Sequence, residues 1–258
     1  MYKEILTRLQ QGHRTMKFPR GNPPALPDRL RGLPRVSSEK CAGTCRDCAA
    51  ACPTGAIDPE SKAIDMGKCL FCVDCAEACA SGAIEFTGDY RLAVSRREDL
   101  VVRDGQKEIE LARALDRKMK RIFGRSLKFR VVSAGGCGAC EADVNVLNTI
   151  GWDLGRFGIS YVASPRHADG IIVTGPVSKN MLLGLQKTWD AVPEPKIAIA
   201  IGSCAISGGP FAGSEAVAGG LDSVIPVDLY IPGCPPHPLT ILDGLLRLMG
   251  KIEEKRAK

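Results

Sequence analysis

Aromatic side chains make up only 5% of this 258-residue chain. So few stacking platforms leave it poorly equipped to read nucleic-acid bases. No apolar run reaches the roughly 18 to 20 residues that a membrane-crossing helix needs. The opening Met1-Tyr-Lys-Glu-Ile-Leu-Thr-Arg-Leu-Gln likewise lacks the apolar stretch of a secretory signal. These two absences predict a cytoplasmic protein. Nucleotide-binding loops are missing as well. Gly136-Cys-Gly138-Ala-Cys-Glu141 fails the last position of the dinucleotide fingerprint, and Gly202 to Ser207 lacks the second glycine and the lysine of a phosphate loop. No nucleophile or acid–base pair suited to a substrate stands out, which places bond-making chemistry on another chain.

What is present begins with a hydrophobic content of 45%, ordinary for a folded protein, and a length sufficient for two domains. The net charge of +6 is concentrated: Arg113 to Arg130 carries eight Lys or Arg against one Asp, a local excess of +7. A solvated helix face, a docking surface for a partner or anionic lipid, and a nucleic-acid site are the three readings of such a stretch. The scarcity of aromatics weighs against the last.

Twelve cysteines dominate the composition. Eight lie between Cys41 and Cys79, too tightly for a conventional core, so this module must be organised by what its thiols bind. Cys52-Pro-Thr-Gly-Ala-Ile-Asp recurs as Cys79-Ala-Ser-Gly-Ala-Ile-Glu, and Cys45 and Cys48 recur as Cys72 and Cys75, all at an offset of 27 residues. The second copy, Cys69-x2-Cys72-x2-Cys75-x3-Cys79, has the spacing of bacterial ferredoxins, in which the fourth thiolate of a run reaches across to the other cluster. The first copy has three residues between Cys41 and Cys45. The crossed rule predicts Cys41, Cys45, Cys48 and Cys79 around cluster one, and Cys69, Cys72, Cys75 and Cys52 around cluster two. Zinc also takes thiolate pairs of this kind, but its knuckles are normally separated by a longer spacer. A basic zinc-binding interaction protein is therefore the alternative from another class.

Residues 1 to 35 begin with a short basic amphipathic stretch and then turn Pro-rich, which predicts an extended arm ahead of the module. Ile109, Ala112, Leu115, Met119 and Ile122 recur at helical spacing and predict a helix over 107–123. Beyond Gly124 apolar strands alternate with helices. Strands are expected at Leu127–Ser133, Ile159–Ala163, Gly170–Thr174, Lys196–Ile201 and Ser223–Ile231, and helices through Leu147, near Asn180–Trp189 and over Pro238–Met249. The alternation implies an α/β domain with a largely parallel sheet. Cys137, Cys140, Cys204 and Cys234 each fall where a strand gives way to a Gly- or Pro-rich loop, the crevice side of an open sheet. Together they make a third cluster site, with the local glycines permitting close backbone approach.

The stretches Arg156-Phe-Gly-Ile, Ser164-Pro-Arg-His-Ala-Asp, Thr174-Gly-Pro-Val, Gly202-Ser-Cys-Ala-Ile-Ser-Gly-Gly and Val227-Asp-Leu-Tyr-Ile-Pro-Gly-Cys-Pro-Pro resemble the small subunit of formate-hydrogenlyase-type membrane-bound nickel-iron hydrogenases. The B subunit of respiratory complex I belongs to the same superfamily. The resemblance spans 127–250, while 14–90 resembles the two-cluster ferredoxin subunit of the same complexes, including Arg14-Thr-Met-Lys-Phe-Pro. It implies a flavodoxin-like domain whose proximal 4Fe-4S cluster is held by Cys137, Cys140, Cys204 and Cys234, fused to a ferredoxin-like domain, three 4Fe-4S clusters in all.

The expected divisions are an arm (1–35), a two-cluster ferredoxin domain (36–95), a basic linker helix (96–126) and the flavodoxin-like domain (127–258). The implied function is an oxidoreductase subunit passing electrons to or from a large catalytic subunit, with membrane-arm subunits as further partners and no nucleic acid. The implied location is peripheral, on the cytoplasmic face of the inner membrane. A complex I-like quinone-reducing module without nickel is the alternative. The two residues between Cys137 and Cys140 match hydrogenase small subunits, whereas the complex I counterpart has adjacent cysteines. Glu141 stands where the family often has an acid, and reads either as a proton-coupling group or as a helix cap. His167 reads as structural, and His237 as a neighbour of the cluster or of the partner.

Overall fold

The computed structural model describes residues 2–12, 14–41, 44–106, 109–123 and 126–252. The predicted extended arm begins instead with a helix, α1 (Tyr2–Gln11). Tyr2, Ile5, Leu6 and Leu9 recur at helical spacing, the signal that produces it. None of its residues is buried. The remainder of the arm has no regular structure until β1 (Pro34–Val36). It is nevertheless tied down: Phe18 is buried edge-on against Tyr90, and the Arg156 guanidinium donates to the carbonyls of Met16 and Phe18.

The cysteine-rich module repeats in structure as it does in sequence. Helix α2 (Asp47–Ala50) and strand β2 (Ile57–Asp58) are followed by β3 (Ala63–Asp65), and then α3 (Asp74–Glu77) and β4 (Ile84–Phe86) return at the 27-residue offset. β1 pairs antiparallel with β4, and β2, β3 and β5 (Val101–Val102) form a second small antiparallel sheet. These strands are two or three residues long, too little to hold a fold by themselves.

The expected helix over 107–123 is only partly formed. Its first two positions lie outside the described residues; 109–116 is an irregular strap, and α4 covers Arg117–Phe123. The strap's backbone amides are taken by distant partners: Ala112 N–H donates to the Ala93 carbonyl, Arg113 N–H to Ser95 Oγ and Leu115 N–H to the Leu248 carbonyl. Amides committed across the molecule cannot close a helical ladder. The basic stretch is thus divided among strap, short helix and strand and does not form one helix face.

After residue 126 the runs Gly170-Ile-Ile-Val-Thr and Ile197-Ala-Ile-Ala-Ile form strands buried on both faces. The elements are β6 (Leu127–Ser133), α5 (Ala139–Val146), β7 (Ile159–Tyr161), β8 (Gly170–Thr174), α6 (Lys179–Ala191), β9 (Ile197–Ile201), α7 (Ser203–Ser207), β10 (Leu229–Ile231) and α8 (Pro238–Leu248). All pairings are parallel, in the order β7-β6-β8-β9-β10. Renumbered within the sheet this is 2-1-3-4-5, the flavodoxin-like doubly wound order, with its switch point between β6 and β8. The expected strand at 223–231 is shorter, because Leu221–Ser223 makes a single 3₁₀ turn first.

Two cores flank the sheet. One packs Phe129, Ile172, Ile199 and Ile231 against α5 and α8. Every residue of α8 is buried, including the ion pair Asp243–Arg247 at 2.7 Å. The other core joins Ile171, Val173, Ala198 and Leu185 to Leu33, Met66, Phe71 and Leu100 of the cysteine-rich module. Val94 also bridges Tyr230 antiparallel, adding the module's exit segment beside β10. Module and sheet therefore share one continuous apolar interior. Among the described residues no helix is long and apolar enough to cross a membrane.

Candidate metal centres and family membership

Each tight turn of the module presents a thiol because a short helix follows it. Cys48 lies in α2 and Cys75 in α3, while Cys52 and Cys79 close the turns after them. One cavity is lined by Cys41, Cys45, Cys48 and Cys79, together with Val36, Ile57, Ile64 and Ile84. Another is lined by Cys52, Cys69, Cys72 and Cys75, with Ile57, Ile64 and Phe86. Chain crossing between the repeats thus brings Cys79 to the first set and Cys52 to the second, and Cys41 lies within the first set.

Around each crossing thiol the hydrogen bonds are duplicated. Ala56 N–H donates to Cys52 Sγ at 3.2 Å and Ala83 N–H to Cys79 Sγ at 3.3 Å, with Thr54 and Ser81 hydroxyls beside the same sulfurs. Phe71 N–H donates to Cys69 Sγ at 3.3 Å. Sulfurs that accept amide hydrogen bonds are prepared to carry negative charge. Thr54 and Ser81 were not singled out from sequence, although the repeat itself places them at equivalent positions.

The third set lies at the carboxyl edge of the parallel sheet. Cys137 and Cys140 follow β6, Cys204 sits in α7 after β9, and Cys234 follows β10. Cys140 is pushed up to about 12, first by burial and then by the nearby charges of Glu141, Cys204, Cys234 and Cys137; Cys204 rises to about 11 for the same leading reason. In the second set Cys69 is pushed up to about 12 and Cys75 to about 11, again by burial first. Thiols held neutral by burial and by one another become thiolates when a cation compensates them.

Backbone around these sulfurs is pared to the minimum. A Cβ on Gly202, whose φ is +90°, would stand 2.6 Å from Cys140 Sγ, and one on Gly209 would stand 2.9 Å from Cys204 Sγ. Among the described residues no three or more His, Cys, Asp or Glu side chains are grouped as a single metal ion requires. Sets of four soft donors around a space, with amide donors and glycine cradles, fit a thiolate-held iron–sulfur cluster.

The second and third sets adjoin. Burial raises the Cys234 thiol, and Cys137 and then Cys72 of the module add to the shift. A cavity of about 400 Å³ runs along this junction, lined by Arg31, Leu70 and Phe71 of the module and by Cys234 and His237 of the sheet domain. Cys137 and Cys234 are exposed, whereas Cys69 and Cys75 are buried.

The remaining sequence candidates resolve differently. Glu141 accepts a hydrogen bond from Thr174 Oγ1 at 2.8 Å; burial works against its charge, but Ser133 and Thr174 hold its carboxyl below the ordinary value. His237 caps α8: its Nδ1 accepts from Leu239 N–H at 3.1 Å, and burial lowers its pKa, so the imidazole is neutral. His167 lies exposed in a 3₁₀ turn, away from the thiols.

Residues 137–248 match the family described as NADH ubiquinone oxidoreductase, 20 Kd subunit. The NADH-quinone oxidoreductase component of this family from Heliobacterium modesticaldum is 46% identical over 121 residues, 46% of this chain and 69% of that protein. Formate hydrogenlyase subunit 7 of Escherichia coli is 42% identical over 137 residues, 53% of either chain. The probable membrane-bound hydrogenase subunit mbhJ of Pyrococcus furiosus is 40% identical over 51% of this chain and 79% of its own. Among solved structures, a chain of the archaeal membrane-bound sulfane sulfur reductase aligns over 56% of this chain and 80% of its own at 35% identity, with a TM-score of 0.46. With 40% identity or more over more than two thirds of the Heliobacterium and Pyrococcus proteins, the chain belongs to the NADH ubiquinone oxidoreductase 20 kDa subunit family of oxidoreductase subunits.

Proposed function

We propose that this chain relays single electrons, through three 4Fe-4S clusters, to or from the large catalytic subunit of a membrane-associated nickel-iron hydrogenase complex. It does so as a proximal-cluster subunit (127–258) fused to a two-cluster ferredoxin domain (36–95). Cys41, Cys45, Cys48 and Cys79 hold cluster one; Cys69, Cys72, Cys75 and Cys52 hold cluster two; Cys137, Cys140, Cys204 and Cys234 hold the proximal cluster. The observation that carries this reading is the seam between module and sheet domain, where Leu70 and Phe71, lying between Cys69 and Cys72, line one cavity with Cys234. Bound clusters supply reversible one-electron chemistry whose potential depends on burial and on hydrogen bonds to sulfur. The chain's residues do the rest. Ala56, Phe71 and Ala83 offer amides to the ligand sulfurs, the shared core keeps water from Cys69 as a small cluster with Ile64 and Ile84 does from Cys75, and Cys137 and Cys234 open toward a partner.

A nickel-iron partner is favoured by the two residues between Cys137 and Cys140 and by relatives named as hydrogenlyase and hydrogenase subunits. A quinone-reducing partner without nickel is favoured by the 46% identity to a NADH-quinone oxidoreductase component. On either reading the complex is peripheral on the cytoplasmic face of the inner membrane, held there by membrane-arm subunits.

Purification through a tag on this chain, with metal analysis and hydrogen-dependent dye reduction, tests the proposal. About twelve iron per chain is expected, with nickel in the complex. Iron near twelve without nickel or hydrogen turnover removes the hydrogenase partner and leaves the relay. A colourless zinc protein removes both. Cys204→Ser is expected to abolish turnover, because only the proximal site faces the catalytic subunit.

A further inference from the structure

The loop that carries Cys69 is pressed onto the helix that carries Cys204, and two hydroxyls hold it there. Ser203 is fully buried, and its Oγ lies 2.6 Å from the Cys69 carbonyl oxygen and 3.2 Å from that of Gly233, the residue before Cys234. One hydroxyl has one proton to give, and the shorter distance assigns it to Cys69. One turn further along α7, Ser207 Oγ donates to the Gly67 carbonyl at 2.8 Å. The approach is close enough that a Cβ on Gly67 would stand 2.7 Å from the Arg97 guanidinium carbon and 2.8 Å from Ile206 Cγ2. Arg97 in turn clamps Asp65 with two bonds, at 2.8 and 2.7 Å, in the segment leading to Cys69.

We propose that Ser203 is a positioning residue for electron exchange between the module and the sheet domain, its hydroxyl forming a bonded bridge from the backbone of Cys69 to the backbone of Cys204. The inference rests on the cluster assignment above. From the Cys69 carbonyl the bridge runs through one hydrogen bond to Ser203 Oγ, and from Ser203 directly along the chain to Cys204. One electron leaves the site held by Cys69 and arrives at the site held by Cys204. No bond breaks, no proton moves, and no other reactant is required. Buried away from solvent, the hydroxyl has no water to exchange with, so the separation it fixes is held constant. Ser207 grips the same loop at Gly67, with its Oγ also 3.0 Å from the Ser203 carbonyl, and it forms no hydrogen bond to a cysteine among the described residues, which makes it the internal control.

The full chain is compared as wild type, Ser203→Ala, Ser203→Thr and Ser207→Ala, each checked for iron content and thermal midpoint. Substoichiometric pulse reduction then follows re-equilibration between the ferredoxin-type and proximal spectra, and electron paramagnetic resonance of the fully reduced protein follows magnetic coupling between the two sites. Ser203→Ala is expected to slow re-equilibration and weaken the coupling at unchanged iron content, and Ser203→Thr, which keeps the hydroxyl, to restore both. Ser207→Ala is expected to lower the thermal midpoint with neither change. Equal rates in wild type and Ser203→Ala, or equal slowing in Ser203→Ala and Ser207→Ala, overturns the inference while leaving the relay intact. A wild-type chain without module clusters overturns both.

Discussion

Cys72 lies between two residues in the left-handed region, Phe71 at φ 55° and Val73 at φ 70°. For a β-branched residue that conformation costs about 1–3 kcal/mol and persists only where neighbours enforce it. Arg31 is such a neighbour: its Nη1 donates to the carbonyls of both Phe71 and Cys72 at 3.0 Å. Behind it, Gly32 is packed so tightly on Asp89 that a Cβ would stand 2.1 Å from the Asp89 carbonyl oxygen, so Arg31 is aimed by a fixed backbone. Arg31→Ala is expected to lower the stability of the loaded protein by about 1 kcal/mol, the exposed site discounting the usual worth of a charged hydrogen bond. Arg31→Lys should recover only part of it, since a flexible, strongly hydrated ammonium is less pre-organised to bridge the two carbonyls. Calorimetric melting under anaerobic conditions reads the difference, and equal midpoints for all three proteins would count against it. Asp89 gives a pH-dependent companion. Burial opposes its charge, but the Arg91 side chain, bonded at 2.6 Å, holds its carboxyl below the ordinary range. With the folded value below the unfolded one, the stabilisation is complete above about pH 4 and drains away as pH falls through the folded value. Urea titrations at successive acid pH should therefore show a shallower loss for Asp89→Asn than for wild type.

Among the elements, α8 is the clearest case of sequence and packing disagreeing. A wholly buried helix ordinarily reads as apolar all round, yet α8 carries Asp243 and Arg247, whose side chains are 2% and 6% exposed. Removing one partner strands a buried charge, so Arg247→Met is expected to cost about 3–5 kcal/mol, whereas Asp243→Leu with Arg247→Met should lie close to wild type. Denaturant midpoints decide it; a double variant as unstable as the single would show that the pair itself is needed. The loop after β9 makes an equally sharp demand. Gly202→Ala would drive a methyl to 2.6 Å from Cys140 Sγ at a positive φ, so iron should fall from about twelve to about eight per chain while the module's clusters remain. Where such demands are local they were legible: the 27-residue repeat, the predominantly apolar strands at Gly170–Thr174 and Ile197–Ile201, and the cysteines at strand ends are each read from neighbours in the chain. What was not legible depended on distant partners. Ile109 to Leu115 has a helical pattern, but Ala93, Ser95 and Leu248 take its amides. His237 lines the same cavity as Cys234 and also caps α8, a role visible only once Leu239 N–H is seen to point at Nδ1.

For the whole molecule, the unequal support of its two parts sets the order in which they fail. The sheet domain buries five-residue strands on both faces, while the module's strands are two or three residues long and its buried side chains include the thiols of Cys69 and Cys75. Anaerobic iron chelation is expected to release the module first, with early proteolytic cuts between Cys41 and Cys79 and retained helical circular dichroism from the C-terminal half. Simultaneous loss of both would mean that the sheet borrows its stability from the clusters. The shared core between module and sheet, with Val94 laid beside Tyr230 and Ser203 and Ser207 gripping Gly67 to Cys69, has a kinetic meaning beyond stability. A separate donor would have to diffuse, dock and leave for every electron, at a rate set by its concentration and by salt. On the proposed relay the module's sites belong to the same chain and are already packed against the sheet domain, so their effective concentration is fixed by the fold itself and the encounter step disappears. Exchange between the two sites should then be first order, indifferent to dilution and to ionic strength.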